Sequence, residues 1–176
     1  YEAFRKGEVL QLEESRPYRE YIVWLHKQDL QEAETFWREY LKGITAPTPF
    51  GLGNAITRTP DLENRCGDEM ITLSTTTTNA LQSFARTNQL TLNTLVQGAW
   101  SILLSRYSGE RDVVFGATVA GRPSDLPASD KMIGIFINTL PIRVKVNSDE
   151  PLLTWLKRLQ QQQVEVRQYE YSPLVQ

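Results

Sequence analysis

Apolar residues along this chain recur with two periods, three to four in some stretches and two in others, and the switches between them mark its elements. After Arg16-Pro17, Tyr18, Tyr21, Ile22, Trp24 and Leu25 cluster on one side of a short predicted helix. Asp29 is placed to cap a second helix that carries Ala33, Phe36, Trp37, Tyr40 and Leu41 and stops at Gly43. From Ile44 to Gly67 the composition turns to Pro, Thr, Gly and Asn, a long connection. Residues 68–74, DEMITLS, read as a short strand, and Ser74 caps a helix with an apolar stripe of Leu81, Phe84 and Ala85. The clearest helix follows: Leu92, Leu95, Val96, Ala99, Ile102, Leu103 and Tyr107 recur at three and four, and Gly109 stands at its end. Trp100 and Leu104 widen its apolar arc, so it is expected to be buried on more than one side.

The period then changes to two. Val113 to Ala120 is apolar on nearly every position, the pattern of a central strand, and Gly116, Thr118 and Ala120 give one face room for a close neighbour. After a polar loop, Leu140, Ile142, Val144 and Val146 alternate with Thr139, Pro141, Arg143 and Lys145, a strand with one buried face. The same parity puts Phe136 and Asn138 on the apolar side. An asparagine there must find hydrogen bonds or lose about 1–3 kcal/mol. Two readings stay open: its amide pairs with loop backbone, or it points into a cavity. Pro151 starts a final helix with Leu152, Leu156, Leu159 and Val166 inward, on which Gln160 to Gln163 form a helix face. Together these elements predict an α/β fold, a two-layer sandwich of a mixed sheet with helices packed on it, in one lobe.

Composition narrows the chemistry. The 176 residues carry 19 basic and 21 acidic side chains, which gives no electrostatic reason to expect nucleic acid or an anionic membrane as partner. No apolar run approaches the roughly 18 residues of a membrane span, and YEAFRKGEVL lacks the apolar core of a signal peptide, so the expected compartment is the cytoplasm. One cysteine, Cys66, and one histidine, His26, cannot build a zinc site, and no metal is expected. Cys66 sits in a polar loop as a bystander thiol, and His26 beside Lys27 reads as a solvated helix terminus. There is no G-x-S-x-G elbow and no P-loop.

Three spaced segments carry a resemblance. PYREYIVW at 17–24 is similar to Y-x-D-Y-A-V-W, with Glu20 for the aspartate and Ile22 for the alanine. IGIFINT at 133–139 is similar to I-G-x-F-V-N-T, and RQYEYSPLVQ at 167–176 to an H-Q-x-Y-P segment without its histidine. In this order they resemble the C-terminal half of a condensation domain of nonribosomal peptide synthetases, the family with a chloramphenicol acetyltransferase-like fold. The likeness runs over essentially all of residues 1–176.

The resemblance implies an acyltransferase that forms peptide bonds between aminoacyl or peptidyl groups held on phosphopantetheine arms. It implies upstream and downstream peptidyl carrier proteins as partners, an adjacent adenylation domain, and no directly bound cofactor. The family's H-H-x-x-x-D-G motif belongs to an N-terminal lobe ahead of Tyr1, and a closing motif follows Gln176. The expectation is therefore one lobe of a longer polypeptide, with no catalytic residue in this chain and no activity alone. By the same likeness Asn138, Phe136, Thr139 and Gly134 fall at the substrate tunnel, and Trp24, Gly121 and Arg122 at the lobe interface or cleft floor. Arg143, facing away from Asn138, is expected in an ion pair. The alternatives are a non-catalytic docking or scaffold lobe for carrier proteins, or another acyltransferase, cyclisation or epimerisation branch of the superfamily.

Overall fold

The structure is a computed structural model and describes residues 5–7, 15–49 and 70–173. Cys66, the glycines at 51 and 53, the start of the strand expected over 68–74, and residues 174–176 lie outside them.

Helix α1 spans Arg19–Leu25 and α2 spans Leu30–Tyr40, where Asp29 accepts hydrogen bonds from the backbone of Gln31 and Glu32 as an N-cap. Helix α3, Thr75–Thr87, is capped by Ser74, and α4, Leu92–Ser108, is capped by Thr91 and closed by Gly109 at φ 77°. Strands β1, Asp112–Val119, and β2, Asn138–Lys145, pair antiparallel, with Val113 opposite Val144 and Val119 opposite Asn138. A 3-10 turn at Ser129–Lys131 lies in the loop between them, and α5, Leu152–Arg167, follows.

Val113, Leu140, Ile142 and Val144 on one ribbon face pack with Trp155, Leu156, Leu159 and Val166 of α5 and Leu104 of α4 to form the main core. A smaller core gathers Tyr21, Leu126, Met132 and Phe136, with Tyr18, Trp24 and Leu25 against it.

Four expectations need correction. Among the described residues the sheet is a two-stranded antiparallel ribbon, and β1, read as a central strand, has a ladder on one side only. Its apolar residues report burial of faces, which says nothing about how many edges are paired. Met70 to Ser74 forms no strand, and Met70 and Ile71 are 91% and 88% exposed. A short β-prone run becomes a strand only where another edge takes its backbone groups.

The third correction concerns α4. It buries its small and polar residues, Thr94, Gly98 and Ser101 with Leu104, while Leu92, Val96, Leu103 and Tyr107 face outward. Gly98 sets the spacing: a Cβ there would lie 2.8 Å from the Leu156 side chain and 3.1 Å from Trp155. The seam with α5 is polar. Gln163 accepts from the Thr94 hydroxyl at 3.0 Å and donates to Gln97 at 2.7 Å, and Gln160 accepts from the Thr91 N–H at 2.8 Å. The glutamine run is thus half interface, while Leu152, expected inward, is exposed and Trp155 takes the buried place.

Candidate functional site

The three segments that carry the family likeness meet in space. Tyr18, from the first, packs edge-on to Phe136 of the second with ring centroids 5.2 Å apart, and its hydroxyl donates to the Ile135 carbonyl. Tyr21 lies 4.5 Å from the Phe136 ring and stacks on Trp24 at 5.9 Å. Trp24 in turn meets Tyr171 of the third segment edge-on at 6.1 Å and donates its indole N–H to Asp125 at 3.0 Å.

Asn138 closes the cluster from the strand side. Its amide nitrogen donates to the carbonyls of Glu170 and Ser172, both at 2.8 Å, and its carbonyl accepts from the Thr139 N–H at 2.8 Å. Of the two readings left open by the sequence, pairing with loop backbone is what the structure shows. The same C-terminal turn is held by the Trp37 indole donating to the Ser172 hydroxyl at 3.0 Å and by Tyr171 donating to the Asp29 carbonyl at 3.1 Å. Burial raises the Glu170 carboxyl above the ordinary carboxylate range, opposed by Arg167, and burial also raises the Tyr21 phenol.

The loop side is equally braced. Gly121 is at φ 61°, and a Cβ there would collide with the Phe136 carbonyl oxygen at 1.8 Å, so only glycine fits. Arg122 lies over the Phe136 ring at 4.1 Å and donates to the carbonyls of Ser129 and Met132. Gly134 presses on Tyr18, since a Cβ there would sit 2.1 Å from the ring. Thr139 stands on the opposite ribbon face, where its methyl would be 3.0 Å from a Cβ at Gly116. So Gly121, Arg122, Gly134, Phe136, Asn138 and Trp24 form one contact network, and Thr139 joins it through its backbone.

Next to the ribbon, a cavity of about 1000 Å³ runs between α2 and the strands, lined by Trp37, Leu41, Ile44, Phe115, Gly116 and Pro141 among others. Arg143 pairs with Asp112 at 2.7 Å, as its outward register suggested, and also donates to the carbonyls of Tyr40 and Lys42 at the end of α2. The Arg143 hydrogen bond and charge hold the Asp112 carboxyl below its usual range. Sequence reasoning missed the convergence on Tyr169 to Ser172, although that stretch lies in the third motif-like segment and is dense in aromatics.

Among the described residues no group of three or more His, Cys, Asp or Glu could hold a metal, and no helix is long and apolar enough to cross a membrane. His26 is exposed at the C-terminal end of α1.

Comparison with known proteins agrees with the geometry. The condensation-domain family matches residues 1–176. Two of the linear gramicidin synthase polypeptides of Brevibacillus parabrevis are among the relatives. One is 57% identical over 176 residues, covering 99% of this chain and 3% of that protein. The other is 53% identical over 160 residues, covering 91% of this chain and 2% of that protein. Among solved structures, the X-domain from teicoplanin biosynthesis superposes with a TM-score of 0.74 at 27% identity, over 98% of this chain and 40% of that one. The first condensation domain of the CDA synthetase gives a TM-score of 0.71 at 16% identity, over 97% and 37%, a likeness of fold. The chain thus spans a few per cent of these curated relatives and about two fifths of the solved domains. Matched along its whole length, with its three motif segments folded into one cluster, the chain belongs to the condensation-domain family.

Proposed function

We propose that this chain is the C-terminal lobe of a condensation domain that joins aminoacyl or peptidyl groups carried on phosphopantetheine arms of peptidyl carrier proteins. The observation that carries the reading is the whole-length family match together with the packing of segments 17–24, 133–139 and 167–173 around Phe136 and Asn138. The amine of the downstream aminoacyl group attacks the upstream thioester carbonyl, the C–S bond breaks, and the thiol of the upstream arm leaves with the proton that the amine gives up. The base for that proton is assigned to the histidine motif of the partner lobe. Upstream and downstream carrier proteins, an adjacent adenylation domain and that lobe are the implied partners.

Within this lobe the tunnel wall is assigned to residues 133–139, with Asn138 acting through the turn it holds. Trp24, Gly121 and Arg122 fix the wall from behind at the lobe boundary. The test is a chimera in which this chain replaces its counterpart in a condensation domain of the linear gramicidin synthase polypeptide to which it is 57% identical. Dipeptide formation between two loaded carrier proteins is followed by mass spectrometry. The chimera is expected to make product and the isolated 176 residues none. A chimera that folds and still binds carrier proteins without making product would favour a docking or scaffold lobe instead.

A further inference from the structure

A second cavity, of about 520 Å³, lies between the last turn of α4 and the first turn of α5. Strand β2 runs from Asn138 in the motif cluster to Lys145, one residue short of the cavity wall at Val146, so roughly 23 Å separates the two sites. Gly109, left-handed at φ 77°, ends α4 and turns the chain, which brings Arg106 of the last helical turn and Arg111 just ahead of β1 into one lining. Trp155 lines it too, buried and with its indole N–H on the Lys145 carbonyl. Ile102 and Leu152 complete the apolar part and are 38% and 58% exposed.

Two charges in this lining are uncommitted. Among the described residues neither Arg106 nor Arg111 has an ion pair or a side-chain hydrogen bond, and Arg106 does not bond the last carbonyls of α4, the ordinary role of a cation at a helix end. The carboxylate in the lining, Glu150, is taken by Arg158 at 2.7 Å, while Glu110 and Asp149 are exposed outside it. Asn147 accepts from the Asp149 N–H at 3.3 Å through its side-chain carbonyl, which leaves its amide NH₂ to donate. Guanidinium groups bind carboxylate and phosphate oxygens in two-point geometry. The volume falls within the roughly 300–1,000 Å³ of small-molecule sites. A bare inorganic anion would satisfy the arginines and leave Ile102 and Leu152 wet.

We propose that this cavity binds a small organic oxyanion, with an apolar body against Trp155, Ile102 and Leu152 and a phosphate or carboxylate head between Arg106 and Arg111. The site stands apart from the condensation reading and from the segments that carry it. An acidic protein segment is the competing occupant. A stable protein contact takes roughly 20–30 residues a side, and eleven described residues line this cavity.

Isothermal titration calorimetry on the chimeric condensation domain tests the site without reading activity. Phenyl phosphate is expected to bind about tenfold more tightly than inorganic phosphate, because its ring covers the apolar wall, and benzyl alcohol is expected not to bind. Benzoate against phenyl phosphate then tells which head group the arginines prefer. Arg106→Gln and Arg111→Gln, at exposed positions without partners, are expected to keep the parent Tm and each to weaken phenyl phosphate about tenfold. Absence of binding by both aromatic anions at millimolar concentration would overturn the site. So would affinity unchanged in both variants, or equal affinity for phenyl phosphate and inorganic phosphate, the mark of an adventitious ion only. Binding of a tetraglutamate peptide with neither aromatic anion bound would make the cavity a protein contact and overturn it as well. An inactive chimera counts against the condensation reading alone, and if the chimera does not fold the same titration on the 176-residue chain decides the site.

Discussion

Along the outer edge of β2 the backbone donors of residues 139–143 that point away from β1 are accounted for. Thr139 N–H goes to the Asn138 side chain, Pro141 has none, and Arg143 N–H goes to the Tyr40 hydroxyl at 2.9 Å. The Lys145 carbonyl accepts from the Trp155 indole at 2.9 Å. The outer edge of β1 is different: Val114 N–H reaches the Thr48 hydroxyl at 2.8 Å, while Gly116 and Thr118 point outward without a partner among the described residues. An edge stopped by proline and side-chain caps cannot accept another strand, and an uncapped edge of small residues can. Among the described residues the fold is finished on the side where the three motif segments meet and open on the other. The outward apolar stripe of α4 points the same way.

The contrast can be broken from its largest effect downward. Ala117→Pro would remove a ladder donor facing β2 and is expected to cost at least about 3 kcal/mol, visible as loss of the cooperative urea transition. Next, Asn138→Ala leaves the Glu170 and Ser172 carbonyls without their donor, for an expected loss of about 2 kcal/mol in chemical denaturation. A variant as stable as the parent would show that the turn holds without Asn138. Tyr40→Phe uncaps Arg143 alone and should cost about 1 kcal/mol by the same measurement.

The closed edge also carries a pH dependence. Asp112 has its folded-state pKa lowered, chiefly by its hydrogen bond from Arg143. Its contribution is therefore complete above the unfolded carboxylate value and is lost as pH falls through the lowered one. Glu170, raised by burial, acts in the opposite sense and gains stability as it protonates. The acid limb of the Tm profile should flatten in Asp112→Asn. The smallest effect belongs to the open edge: Thr118→Pro removes only an outward N–H, and a change under about 1 kcal/mol is expected. A loss as large as that of Ala117→Pro would mean that β1 already has a second neighbour.

Much of this was legible in the chain. Caps at Asp29, Ser74 and Gly109 stood where local hydrogen bonding and a positive φ require them, because a cap involves only near neighbours. The parity of 140–146 gave the buried face of β2 for the same reason. Helix α4 misled because periodicity reports which side is apolar and not which side has a partner: Gly98 and the Thr94–Gln163 contact, chosen by α5, decided the inward face. The candidate site divides likewise. The likeness of 133–139 to a family motif placed the segment, while the structure decided which alternate side chains are committed to the fold and which are presented.

By itself, then, the sequence determined the helices, the caps at Asp29, Ser74 and Gly109, the strands at 113–120 and 139–146 and the family, all of which depend on residue type and short spacing. Only the tertiary structure decided that Asn138 holds a turn 32 to 34 residues away, that among the described residues β2 is capped along its outer edge while β1 is not, and that three isoleucines face outward. Those outcomes depend on which distant groups arrive to satisfy a donor or cover an apolar face, and residue order does not encode that arrival locally.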